Sequence, residues 1–158
     1  MKAMAPTRPT ELKECRVRLA ARPAAVAEAR SQVRAAICAW DVPVDPDIAV
    51  LLASELVTNA VRHEQSKTIT LTISCPYGQL RVEVHDTSCA MPVLVDSPAD
   101  AETGRGLMLV AALSAKWGSF RTPAGKAVYF TLAFQPDRAE AGRVVPLARS
   151  SRRDGAQG

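Results

Sequence analysis

Three places in the chain combine residue types and spacings that can do chemistry. Glu55 and Asn59 stand four apart in a stretch otherwise rich in Ala, Leu and Val. On a helical wheel at about 100° per residue, with Ile48 as zero, Leu51, Leu52 and Leu56 lie within about 80°, and Glu55 and Asn59 fall inside that arc. A carboxylate and an amide one turn apart on an apolar stripe can face a cavity together. Both supply oxygen, which suits a hard cation such as Mg²⁺ or a reacting hydroxyl. The competing reading makes the opposite arc, with Val50, Val57 and Val61, the core face and leaves Glu55 solvated, since buried carboxylates are rare without a partner.

Asp86 breaks the pattern of its strand in the same way. The row Leu80, Val82, Val84 places it on the inward face where the strand ends. An ionised Asp only accepts hydrogen bonds, so there it can take one from an exocyclic amine such as that of adenine. The plainer alternative is a strand-end Asp that opens a loop through an Asx turn. Gly104-Arg105-Gly106 precedes an apolar helical segment, which sets flexible backbone and unpaired N–H groups at a helix N-terminus, a place that attracts phosphate. Arg105 adds a cation for a terminal phosphate or an acidic partner; an ordinary tight loop also accounts for the two glycines. His63 and His85 have no suitably spaced Cys or His and read as structural or surface residues.

The elements that hold these residues follow from periodicity. Cys15, Val17 and Leu19 alternate with charged residues, a strand pattern beginning near Leu12. Pro23 suits a first helical turn before Ala24 to Trp40, and Asp45-Pro46 reads as an N-cap and first helical position for a helix running to about His63. Ile69, Leu71, Ile73 and Leu80, Val82, Val84 make two strands of a hairpin turning over Pro76 to Gln79. Thr87 to Thr103 has no sustained period and reads as a long loop. Gly104 to Ser114 is the third helix, and Trp117–Arg121 with Lys126–Phe134 closes the fold as a second hairpin. The predicted architecture is α+β, a two-layer sandwich with one mixed or antiparallel sheet and its helices on one face.

Composition bounds the rest. The 158 residues, 47% hydrophobic and 23% charged, suit one globular domain over 12–135, flanked by disordered ends at 1–11 and 136–158. The formal charge of +4 permits an acidic partner. About half of it sits beyond Gln135, where five arginines face three acids. Those arginines are scattered among acids, and 4% aromatic residues leave few stacking platforms, which weighs against nucleic-acid binding. Cys15, Cys38, Cys75 and Cys89 are too widely spaced for a close metal-binding pair and read as small buried hydrophobes in a reducing cytoplasm. No apolar run approaches the roughly 20 residues of a membrane span.

In this order, Glu55-Leu56-Val57-Thr58-Asn59-Ala60-Val61-Arg62-His63, Val84-His85-Asp86 and Gly104-Arg105-Gly106-Leu107 resemble the three nucleotide-binding boxes of the Bergerat (GHKL) ATPase fold. The short single domain and the Glu-Leu-Val-Thr-Asn-Ala helix make the chain similar to the anti-sigma-factor serine kinases, over about Leu12 to Phe134. The resemblance implies ATP and Mg²⁺ as cofactors. It implies Asn59 as the Mg²⁺ ligand, Glu55 as general base on a partner's serine, and Asp86 as acceptor of the adenine amine. Gly104 and Gly106 would let a loop close over the phosphates, with Arg105 near the terminal one. The implied partners are a STAS-type anti-anti-sigma protein, a sigma factor and a second copy of the chain. One departure stands out: the family's Asp-x-Gly-x-Gly is here Asp86-Thr87-Ser88-Cys89-Ala90. That motivates a second reading, a protein-interaction regulator of the same fold with little or no kinase activity.

Overall fold

The structure, a computed structural model, describes residues 12–63, 67–88 and 101–134. Among these the elements are β1 (Glu14–Ala20), α1 (Ala24–Ala39), α2 (Pro46–His63), β2 (Thr68–Ser74), β3 (Gln79–Asp86), α3 (Ala101–Leu113), β4 (Lys116–Thr122) and β5 (Gly125–Ala133). Their order is the predicted one. The two ends expected to be disordered and most of the expected loop after Thr87 lie outside the described residues.

The five strands form one sheet in the order β1-β2-β3-β5-β4, and every pairing is antiparallel. The connections explain why no parallel neighbours arise. Two helices between β1 and β2 return the chain to the end it left, so β2 runs back along β1. The single helix between β3 and β4 makes those two strands parallel, but β5 inserts between them and runs against both. Helices cover one face, with α1 over β1 and β2, α2 over β3 and β5, and α3 beside β4. Leu19, Ile69, Leu71, Ile73, Leu80, Val82, Val84, Val128 and Phe130 point from the sheet into that layer and meet Val33, Leu52, Leu56 and Val110 from the helices.

Local chemistry sets the boundaries. The Asp47 N–H donates to Asp45 Oδ1 at 2.9 Å, so Asp45 caps α2 as its sequence suggests. Arg30 Nε donates to Ser54 Oγ at 2.6 Å, and that hydroxyl donates to the Val50 carbonyl, which ties α1 to α2. Tyr77 and Gly78, at φ 50° and 75°, turn the β2–β3 hairpin through the left-handed backbone region that tight hairpins need. The expectation of burial is corrected for three of the four cysteines: Cys38 is exposed, and Cys15 and Cys75 are half-buried, while Cys89 lies outside the described residues. Cys15 lies on an edge strand and Cys75 just past the end of β2, where helices cover the sheet least, while Cys38 sits in the last turn of α1. Partial burial nonetheless pushes the Cys75 thiol up from 9.0, against the lowering effect of Lys13.

The helix-free face carries a polar cluster. Glu83 accepts from Arg81 Nε at 2.7 Å and from His85 Nε2 at 3.0 Å, and the Arg81 guanidinium lies 4.0 Å over the Tyr129 ring. The His85 bond, then Arg81, holds the Glu83 carboxyl below its usual 4.5 against the opposing effect of burial. A depressed carboxyl binds fewer protons in the folded state than in the unfolded one. Its contribution is therefore complete above pH 4.5 and is lost as the pH falls through and below that value. Urea unfolding between about pH 6 and pH 3 is expected to show a steeper acid loss for the wild type than for Glu83→Gln.

Candidate functional site

The buried positions of α2 decide between the two faces the wheel offered. Ala49, Leu52, Ala53, Leu56, Val57 and Ala60 are buried, which centres the core direction about 100° from Ile48, between the two proposed arcs. Leu51 is 39% exposed, while Val50 and Val61 are half-buried. Glu55 and Asn59 therefore mark the edge of the core-facing arc. Glu55 is half-buried and Asn59 is 8% exposed. The Asn59 Oδ1 is buried without a hydrogen-bond partner. Leaving such an acceptor unsatisfied costs about 1–3 kcal/mol, so an amide oxygen kept at a helix margin beside a carboxylate fits the chemistry of a cation donor.

Gly106 is what Glu55 rests on. A Cβ on Gly106 would overlap Glu55 Oε2 and lie 3.3 Å from its Cδ, so the carboxylate packs directly against the α3 backbone. One part of the sequence reading is corrected here. The third helix begins at Ala101, so Gly104, Arg105 and Gly106 lie within its first two turns and do not form a loop ahead of it. The apolar run from Leu107 anchors α3 through buried Leu107 and Val110, and the preceding residues extend the same helix backwards. In this conformation the Glu55 carboxylate fills the space over Gly106. The side chain of Arg105 lies outside the described residues.

Asp86 stands on the inward face, as its place in the row predicts, and it also makes the Asx turn that the sequence offered as the alternative. It is 5% exposed on the helix-covered face, at the end of the Leu80, Val82, Val84 row. Its Oδ1 also accepts the Ser88 N–H at 2.8 Å, which is the Asx turn. Across the ladder Asp86 pairs with Lys126, whose Nζ stands 3.9 Å from Asp86 Oδ2, with the two side chains 1% and 3% exposed. Gly125 is equally constrained, because a Cβ there would overlap the Asp86 carbonyl oxygen and come within 2.5 Å of Thr87 Cα. Sequence reasoning missed both residues. The signal for Lys126 was present, since it lies two before Val128 and so shares the inward phase of Val128, Phe130 and Leu132.

The structure thus groups Glu55 and Asn59 with Gly106, and Asp86 with Lys126 and Gly125. Both groups face the layer between helices and sheet, and α2 overlies the strands that carry the second. Among the described residues no group of three or more His, Cys, Asp or Glu is placed to hold a metal, and no helix is long and apolar enough to cross a membrane.

The two-layer sandwich, with its helices on one face of an antiparallel sheet, defines the class of the fold. Residues 19–132 match the histidine kinase-like ATPase domain family, and the chain belongs to that family. The crystal structure of the RsbU and RsbW domains of Rv1364c from Mycobacterium tuberculosis is similar in fold, with a TM-score of 0.58 and 21% identity, covering 78% of this chain and 33% of that one. This chain therefore spans about a third of that longer one. The histidine kinase domain of a blue-light activated histidine kinase from Erythrobacter litoralis shares 30% identity over 56% of this chain and 44% of that one, with a TM-score of 0.41. No curated protein matches the chain significantly.

Proposed function

We propose that this chain is an ATP- and Mg²⁺-dependent protein serine kinase acting as an anti-sigma regulatory factor. In this reading it phosphorylates a STAS-type anti-anti-sigma protein and holds a sigma factor inactive. Family membership and the motif resemblance support it, and the observation that carries it is the buried, unpartnered Asn59 Oδ1 one turn from Glu55 on α2. An amide oxygen is a hard donor suited to Mg²⁺, and the carboxylate one turn away is left for proton transfer. Bound Mg²⁺ supplies charge neutralisation to the phosphates, which contributes much of the rate in phosphoryl transfer.

The chain's own residues then have distinct tasks. Asn59 Oδ1 holds the cation. Glu55 takes the proton from the partner's serine hydroxyl as that oxygen attacks. Asp86 accepts the adenine amine from the helix-covered face of the sheet. The Glu55 carboxylate must leave Gly106, or the first turns of α3 must shift, before a phosphate can approach. Two glycines in those turns favour the shift, since each costs about 1 kcal/mol of helix stability relative to alanine. Gly104, Gly106 and Arg105 are assigned to the phosphate end on the motif resemblance.

A second reading has its own observation. Asp86 already receives the Ser88 N–H and faces Lys126, and no glycine follows it in Thr87-Ser88-Cys89-Ala90. A regulator that keeps the fold and a partner surface, with little or no transfer, suits that arrangement. Incubating the purified chain with γ-labelled ATP and a STAS-domain protein separates the two. Label on a serine of the partner, lost in Glu55→Ala, supports the kinase; partner binding without label supports the regulator.

A further inference from the structure

Among the described residues Lys126 is the only lysine or arginine that is buried, and the family reading leaves it without a task. Its place is not explained by stability. Removing an ammonium and a carboxylate from water costs several kcal/mol each, and a buried ion pair seldom stabilises a fold more than apolar residues of the same volume. The arrangement instead has the form of a recognition pair. Lys126 and Asp86 are opposed in the β3–β5 register on the helix-covered face, and their tips stand 3.9 Å apart, close enough to pair charges but too far for a direct hydrogen bond. An ammonium carries three donors, and an ionised carboxylate about four lone-pair sites, so neither group is confined to a single partner. Gly125, with no room for a Cβ against the Asp86–Thr87 backbone, keeps the start of β5 pressed close to the end of β3.

We propose that Lys126 is a specificity-determining residue. Asp86 accepts from the exocyclic amine of adenine while Lys126 donates directly to the neighbouring ring nitrogen, N1. The inference rests on the ATP-binding reading above. Adenine presents a donor beside an acceptor on this edge, matching a carboxylate beside an ammonium. Guanine presents the same two functions in reversed order, O6 then N1–H, so it meets the pair with each group opposite the wrong partner unless the whole base shifts.

The test is calorimetric titration of the full chain with Mg·ATP, Mg·GTP and the magnesium complex of 1-deaza-ATP, in which N1 is replaced by C–H. For the wild type, 1-deaza-ATP is expected to bind at least about tenfold more weakly than ATP, the scale of a hydrogen bond to a charged group. GTP is expected to bind more weakly still. In Lys126→Met, ATP should bind as weakly as 1-deaza-ATP does, with no further loss for the analogue. Because that variant leaves Asp86 buried opposite a methyl group, a second measurement uses the unaltered chain. With ¹⁵N-labelled lysine, the Lys126 Nζ resonance should shift on adding ATP and not on adding 1-deaza-ATP. Equal affinity for ATP and 1-deaza-ATP overturns the proposal, as does a loss that persists undiminished in Lys126→Met, or an Nζ resonance that responds alike to both nucleotides. Wild-type protein that binds none of the three nucleotides overturns the ATP-binding reading itself, an outcome distinct from ATP binding that is indifferent to N1.

Discussion

Glu55→Gln is expected to lower phosphoryl transfer to a STAS-domain serine by about 10²–10⁴-fold, the usual contribution of a positioned general base. The substitution keeps the shape of the side chain, its half-buried place on α2 and its packing against Gly106, and removes only the capacity to take a proton. Affinity for Mg·ATP should change little, because the cation is assigned to Asn59. Rate and affinity measured on the same preparation give the signature: a large fall in transfer with binding nearly intact. Gly106→Ala approaches the same carboxylate from the other side. The added methyl needs the volume that Glu55 Oε2 occupies, so Glu55 is displaced without any change in its chemistry. The carboxylate has to leave Gly106 for a phosphate to approach in any case. The fall in transfer expected here therefore comes from the methyl that the phosphate end then meets, and it is accompanied by weaker Mg·ATP binding. Glu55→Gln at wild-type rate would remove the residue from catalysis.

The second large effect is structural. Gly125→Ala is expected to destabilise the fold by about 3 kcal/mol, at the upper end of the overpacking range, with a fall in Tm of about 6–12 °C. The obstacle is backbone and cannot be relieved by a rotamer change: the Cβ would overlap the Asp86 carbonyl oxygen and lie 2.5 Å from Thr87 Cα and 2.7 Å from Thr87 C. Relief requires β5 to move off the end of β3, which also separates Lys126 from Asp86. Thermal unfolding monitored by circular dichroism checks it. A Tm within about 2 °C of wild type would mean the two strands are not held in this close approach.

Much of the fold was legible because local and global preferences agree. The alternation in Ile69, Leu71, Ile73 and in Leu80, Val82, Val84 has the period of a half-buried strand, and the structure uses both rows as its inner face. Asp45-Pro46 carried a cap whose hydrogen bond is present. The start of α3 was hidden because the residues before Gly104 have no apolar period and glycine argues against helix, whereas the anchoring of Leu107 and Val110 extends the helix back to Ala101. The face of α2 was ambiguous for a different reason. The helix packs on α1, on α3 and on the sheet at once, so its buried arc is wide and neither narrow stripe describes it. Asn59 and Asp86 were found because each interrupts an apolar row. Lys126 was not, since a lysine at a strand's first turn reads as solvated until the register sets it opposite an acid.

The measurement that bears most directly on the Glu55–Asn59 pair is titration of ATP into the wild type and into Asn59→Ala, each with and without Mg²⁺. The wild type should bind ATP with an affinity that rises on adding Mg²⁺. In Asn59→Ala that gain should vanish and Mg·ATP should bind at least about tenfold more weakly, while the fold, judged by its melting curve, is retained. An affinity for Mg·ATP that is the same in both proteins, or a wild type that binds no ATP with or without the cation, would contradict the assignment.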